Sequence, residues 1–103
     1  MRKLVKFELY IPRSSKLQNI FVADKNDWEV INKSIEDKID LRLGEVAGKY
    51  SEVYYQPTIK DFTVVTEDEK LIDFFISLFP YGLGNIDILG RIDNHYSEVF
   101  DDE

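Results

Sequence analysis

The sequence predicts an α+β domain: an antiparallel sheet of about five or six strands with two helices. Three features predict it. Short alternations of apolar and polar residues recur, two other stretches carry helix punctuation, and strands and helices do not interleave strictly as βαβ units. At 103 residues the chain is read as one domain over 1–100, with an acidic tail at 101–103.

Val5, Phe7, Leu9 and Ile11 alternate with Lys6, Glu8 and Tyr10, the period of two of a half-buried strand. Pro12 ends that run, 13–18 reads as a polar loop, and 19–23 reads as a second strand that closes a hairpin. Asp24 is an N-cap for a helix over Lys25–Lys38, whose Trp28, Ile31 and Ile35 share one face. Ile39, Leu41 and Leu43 begin a third strand, 47–49 a turn through Gly48, and Tyr50–Gln56 the returning strand. Asp61–Val65, rich in Thr and Val, reads as a fifth strand. Thr66 with Glu69 forms a capping box, opening a helix over Glu67–Phe79 that Pro80 ends. Leu71, Ile72, Phe74, Phe75, Ile76, Leu78 and Phe79 make that helix apolar on most sides. The expectation is a central helix, buried between the sheet and other elements. The competing expectation is a helix with one face in the core and another kept for a partner or a second copy. A flexible turn follows at 81–85, and Ile86–Ile92 reads as a last strand.

Charge is divided unevenly. Residues 1–49 carry ten Lys/Arg against eight Asp/Glu, residues 50–103 carry three against twelve, and the net charge is −7. Bulk repulsion from phosphate therefore opposes direct nucleic-acid binding. There is no cysteine, so no disulfide, thiolate nucleophile or Cys-ligated metal is expected. Lys6 and Glu8 break the first apolar run, so it does not read as a signal peptide, and no run has the length of a membrane span. A cytoplasmic protein without membrane contact is expected.

No residue pattern carries a reaction centre. Gly44–Lys49 has three residues between its glycines where a phosphate loop needs four, and Tyr50 stands where Ser or Thr is needed. Gly82-Leu83-Gly84 lacks the third glycine of a dinucleotide site, with Asp87 in its place. His95, the one histidine, has Asp93 and Glu98 near it, which falls short of a zinc site. Glu45 and Glu52 flank one hairpin turn and read as solvated charges. No enzyme activity, cofactor or metal is expected. Tyr50-Ser51-Glu52-Val53 recurs as Tyr96-Ser97-Glu98-Val99, which suggests two strands of like alternation, or two copies side by side.

The stretch Leu43-Gly44-Glu45-Val46-Ala47-Gly48-Lys49-Tyr50-Ser51-Glu52-Val53-Tyr54 resembles small phage and mobile-element proteins with a strand, a Gly-Lys turn and a Ser-Glu-Val strand. The resemblance covers about a tenth of the chain, and Tyr50 replaces an expected His. It implies an accessory protein that binds a host protein and inhibits or redirects it.

The sequence thus points to a protein-binding module. Its expected contacts are Tyr50, Tyr54, Tyr55, Tyr81 and Tyr96, with Glu52 and Glu98 nearby, because aromatics bury much area with few rotors. Two alternatives stand beside it. One is a homo-oligomer, possible as a homodimer through the 67–79 helix. The other is a nucleic-acid mimic directed at a basic protein groove, suggested by Glu67-Asp68-Glu69, Asp73, Asp87, Asp93, Glu98 and the tail.

Overall fold

The computed structural model describes residues 1–11, 16–44 and 53–101. In chain order these residues form β1 (Lys3–Tyr10), β2 (Lys16–Ala23), α1 (Lys25–Glu36), β3 (Leu41–Gly44), β4 (Val53–Tyr55), β5 (Phe62–Thr66), α2 (Glu69–Leu78), β6 (Leu83–Gly84) and α3 (Ile88–Asp101). A 3-10 turn at Ile59–Asp61 leads into β5. The class is α+β, as expected. The strands divide into two groups, however: an antiparallel sheet in the order β5-β1-β2-β6, and a separate antiparallel pair β3-β4.

β1 lies between β5 and β2 and so is not a sheet edge. Its register with β2 runs from Lys3↔Ala23 to Tyr10↔Lys16 without a break. Alternation sends Val5, Phe7 and Leu9 to one face of the sheet and Leu4, Lys6 and Glu8 to the other. Phe7 is fully buried and contacts the rings of Tyr55 and Phe62 at 5.8 and 5.1 Å. The main cluster grows from this face. It takes in Leu17, Phe21 and Ala23 from β2, Ile31 from α1, Leu41 and Leu43 from β3, and Ile88 and Ile92 from α3. β3 and β4 therefore lie across the apolar face instead of extending the sheet. Leu41 and Leu43 are buried there, which a place beside an edge strand would not give them.

α1 begins at Asp24, as expected. Asp24 and Asp27 form a reciprocal capping box, with each side chain accepting from the other's backbone N–H at 2.8 and 3.1 Å. The second cap differs from expectation. Asp68, not Thr66, is the N-cap of α2 and accepts from the N–H groups of Lys70 and Leu71, while Thr66 Oγ1 accepts from the Asp68 N–H.

Ile86–Ile92 is not a strand. Asp87 accepts the Gly90 N–H on its side chain and the Arg91 N–H on its carbonyl. The buried carboxamide of Asn19 accepts the Ile88 N–H at 3.2 Å. These partners open a third helix, and Ile88, Ile92 and Tyr96, four residues apart, form its inward face. The alternation Ile86-Asp87-Ile88 that suggests a strand is a helix cap between two apolar anchors.

β6 is only two residues long and depends on glycine. Gly84 has φ +135°, and a Cβ there would stand 2.1 Å from the Gln18 carbonyl oxygen. Asn85 continues the ladder. Its backbone N–H donates to Gln18 O at 3.0 Å, and its side chain accepts from Gln18 N–H and donates to Lys16 O. Gly84→Ala should therefore force β6 off β2 and destabilise the fold by about 2 kcal/mol or more. The midpoint of urea unfolding checks this, and an unchanged midpoint would contradict the close approach described here.

Candidate protein-contact surface

α2 lies on the sheet face opposite the main cluster. Leu4 and Val22, a cross-strand pair, point that way by strand alternation. Leu4 and Ile72 are both buried yet belong to no part of the main cluster. Arg2 fixes the helix from below, reaching Glu69 at 2.8 Å and Asp73 at 2.7 Å. Lys3 reaches Glu67 at 2.5 Å. The guanidinium is held above its ordinary pKa, chiefly by its hydrogen bonds to Asp73 and then Glu69. Phe75, Ile76 and Phe79 border a cleft with Phe21, Val22 and Leu89.

The expectation of a helix buried on most sides is therefore corrected. Within α2 only Ile72 is fully buried. Leu71, Phe74 and Leu78 are 56%, 64% and 56% exposed. At 100° per residue these three fall on one stripe, spaced i, i+3 and i+7, distinct from the inward face of Ile72, Phe75 and Ile76. The helix is apolar on two sides because one side packs on the sheet and no described element covers the other. Beyond the helix, Tyr81 is 99% exposed at the rim of the cleft with Phe75, Ile76 and Phe79, and Leu83 is exposed on β6.

The residues expected as contacts fall in several places. Tyr54 and Tyr81 are exposed, one on β4 and the other in the turn after α2. Tyr55, expected as an exposed contact, is instead buried. It packs edge-on to Phe7, and its hydroxyl donates to Asp61, which also accepts from Thr58. Burial, reinforced by Asp61, pushes its phenol well above the ordinary range. Tyr96 is half-buried between α3 and α1, donates to Asp37 at 2.9 Å and lies under Lys33. Burial and the Asp37 bond push it up to about 12. Tyr50 and Glu52 lie outside the described residues, as do Glu45 and Gly48, and the side chain of Glu98 is likewise outside them. The repeated Tyr-Ser-Glu-Val does not form two like strands, since Tyr96–Val99 lies within α3.

The stripe on α2 is the feature that residue-by-residue reading leaves out of the contact set. Its signal in the sequence is the three polar positions, Lys70, Asp73 and Ser77, too few to wet the side of the helix that the sheet does not cover.

His95 packs edge-on to Tyr96 at 5.5 Å. Among the described residues, no group of three or more His, Asp or Glu side chains is placed to hold a metal ion. None of the described helices is long and apolar enough to cross a membrane. No protein family model, curated protein or solved structure matches this chain.

Two outcomes follow. Ile72→Ala should cost about 2–5 kcal/mol, the usual range for emptying a buried aliphatic site. Phe74→Ser should change stability by only about 0.5 kcal/mol, as at other surface positions. Parallel urea titrations check the contrast. The second outcome concerns Asp93, in the groove with Val30, Lys33 and Tyr96. Burial, then Asp27 and Asp87, raise its carboxyl above the ordinary value. A raised carboxyl binds its proton more tightly in the folded state, so its ionised form opposes folding as pH rises through the carboxylate range. Asp93→Asn should then stabilise the protein at pH 7, and the gain should vanish below the usual Asp pKa of about 3.9. Thermal unfolding across that range measures it.

Proposed function

We propose that this chain is a protein-binding module without a reaction of its own, and that the outer face of α2 is its contact surface. The observation that carries the reading is the stripe of Leu71, Phe74 and Leu78, each more than half exposed on a helix whose other side is seated on the sheet. Three large apolar side chains in a line on one helix exceed the scattered exposure of an ordinary surface. An amphipathic helix presenting i, i+3 and i+7 anchors is a recurrent mode of protein recognition. Tyr81, Leu83 and Tyr54 are also exposed, but apart from this stripe. The resemblance of the 43–54 segment to phage accessory proteins gives the reading a direction: a cytoplasmic module that binds a host protein and inhibits or modulates it.

Mimicry of nucleic acid is supported less well. Glu67, Glu69 and Asp73, part of the acidic run that suggests it, are paired with Lys3 and Arg2. A basic groove would have to displace those partners.

The test uses the tagged chain as bait in lysate of its native host, with Leu71→Lys/Phe74→Glu and Tyr54→Ala as companions. The wild type and the Tyr54 variant should retain the same bound protein, and the double variant should lose it while keeping its circular dichroism spectrum. Equal recovery by all three baits would remove α2 as the contact surface.

A further inference from the structure

We propose that the cleft between the end of α2, the end of β2 and the start of α3 takes an extended segment of a partner protein, one that carries an apolar side chain beside a Lys or Arg. This rests on reading the chain as a protein-binding module and adds a second site, separate from the outer face of α2. The cleft has a volume of about 280 Å³. That is just below the range that encloses whole small-molecule ligands, and it suits a side chain. Phe21, Phe75, Phe79 and Leu89 form its apolar wall, with the Phe75 and Phe79 rings 5.5 Å apart.

The backbone argues for an extended occupant. In an antiparallel pair every second residue turns its N–H and C=O away from the neighbouring strand. On the side of β2 away from β1, both groups of Gln18 are taken by Asn85, at 2.8 and 3.0 Å. Ile20 is paired with Leu83. Val22, two residues further on, turns its groups the same way, but β6 consists of Leu83 and Gly84 alone. The chain before β6 turns back instead, with the Gly82 N–H donating to the Phe79 carbonyl at 3.0 Å. Among the described residues, nothing pairs with Val22 on that side. Val22 lines the cleft, so its free donor and acceptor lie beside the apolar wall. An open edge of this kind accepts the backbone of an extended chain, and the wall takes its side chain.

Charge adds the cation. Asp87 lines the cleft and uses one carboxylate oxygen to accept the Gly90 N–H at 3.0 Å. Among the described residues, no Lys or Arg forms an ion pair with it. The last turn of α2 carries no basic residue, so no cation of its own offsets the negative end of the helix dipole beside Phe79 and Pro80. The uncovered ring of Tyr81 at the rim also suits a cation. An acidic segment is repelled here, and a wholly apolar one gains nothing from Asp87. A Lys or Arg next to an apolar side chain matches both the wall and the rim.

Selection of a display library of random short peptides on the full chain tests the inference. Enriched peptides should carry Lys or Arg beside an aliphatic or aromatic residue. In nuclear magnetic resonance spectra they should shift the amide signals of Val22 and Tyr81 more than those of Leu71 and Phe74. Asp87→Asn keeps the oxygen that caps α3 and removes the charge. It should weaken these peptides about threefold or more at about 0.01 M sodium chloride, and the difference should vanish at about 1 M. N-methylation along the peptide backbone should lose about fivefold or more at one position, the residue that pairs with Val22, without any change to the protein. No enrichment, enrichment without a basic residue, or an Asp87→Asn variant that binds as well as the wild type at low salt each overturns the inference. Peptides lost on Leu71→Lys/Phe74→Glu and kept on Asp87→Asn overturn it too, while the outer face of α2 stands. If that face fails the lysate test and the cleft peptides still bind, the outer face falls and the cleft stands.

Discussion

The two unlike faces of β1 are the constraint on which the rest of the structure depends. Its odd positions supply Val5 and Phe7, both fully buried, and the whole of the main cluster assembles against them. Its even positions supply one apolar anchor, Leu4, and then Lys6 and Glu8. Glu8 is held between Lys16 and Lys6, which keep its carboxyl below the ordinary range, the Lys16 hydrogen bond first. A layer of two helices and a strand pair can form on the first face. On the second there is room for a single helix at one end only, because the other end is charged. That is why α2 is seated on one side of itself and open on the other.

The division of charge between the halves of the chain has a structural counterpart in the same place. Arg2 and Lys3, from the basic first half, close on Glu67, Glu69 and Asp73 of the acidic second half. Exposed ion pairs contribute little to stability singly. Their effect here is positional: they join the start of β1 to the start of α2 beside the apolar outer stripe.

Much of this fold was legible in the sequence, and the parts that were not share a cause. Alternation along Val5–Ile11 and the Asp24 cap identify β1 and α1 because both signals are local. α3 was misread because Ile86-Asp87-Ile88 also fits a strand's alternation, although the Asp87 cap and the four-residue spacing of Ile88, Ile92 and Tyr96 are local helix signals. The exposure of α2 could not be read from its composition, since an apolar helix looks the same whether a second layer covers it or not. The contact set suffered similarly. Tyr54 and Tyr55 are neighbours on one strand, and only the Phe7 ring beneath it decides that Tyr55 turns inward and Tyr54 outward. The Leu71-Phe74-Leu78 spacing was present in the sequence, but its significance depended on which side the sheet would take.

The ends of the main sheet carry a consequence of their own. Between Leu4↔Thr66 and Val5↔Val64 the register of β5 slips at Val65, a bulge that twists the outer strand away from a straight template. At the opposite end, the side chain of Asn85 occupies hydrogen-bonding groups of Lys16 and Gln18 that another chain's strand would otherwise use. Both features hinder regular extension of the sheet, which lowers the aggregation hazard of the uncharged, β-branched Phe62–Thr66 run at its margin.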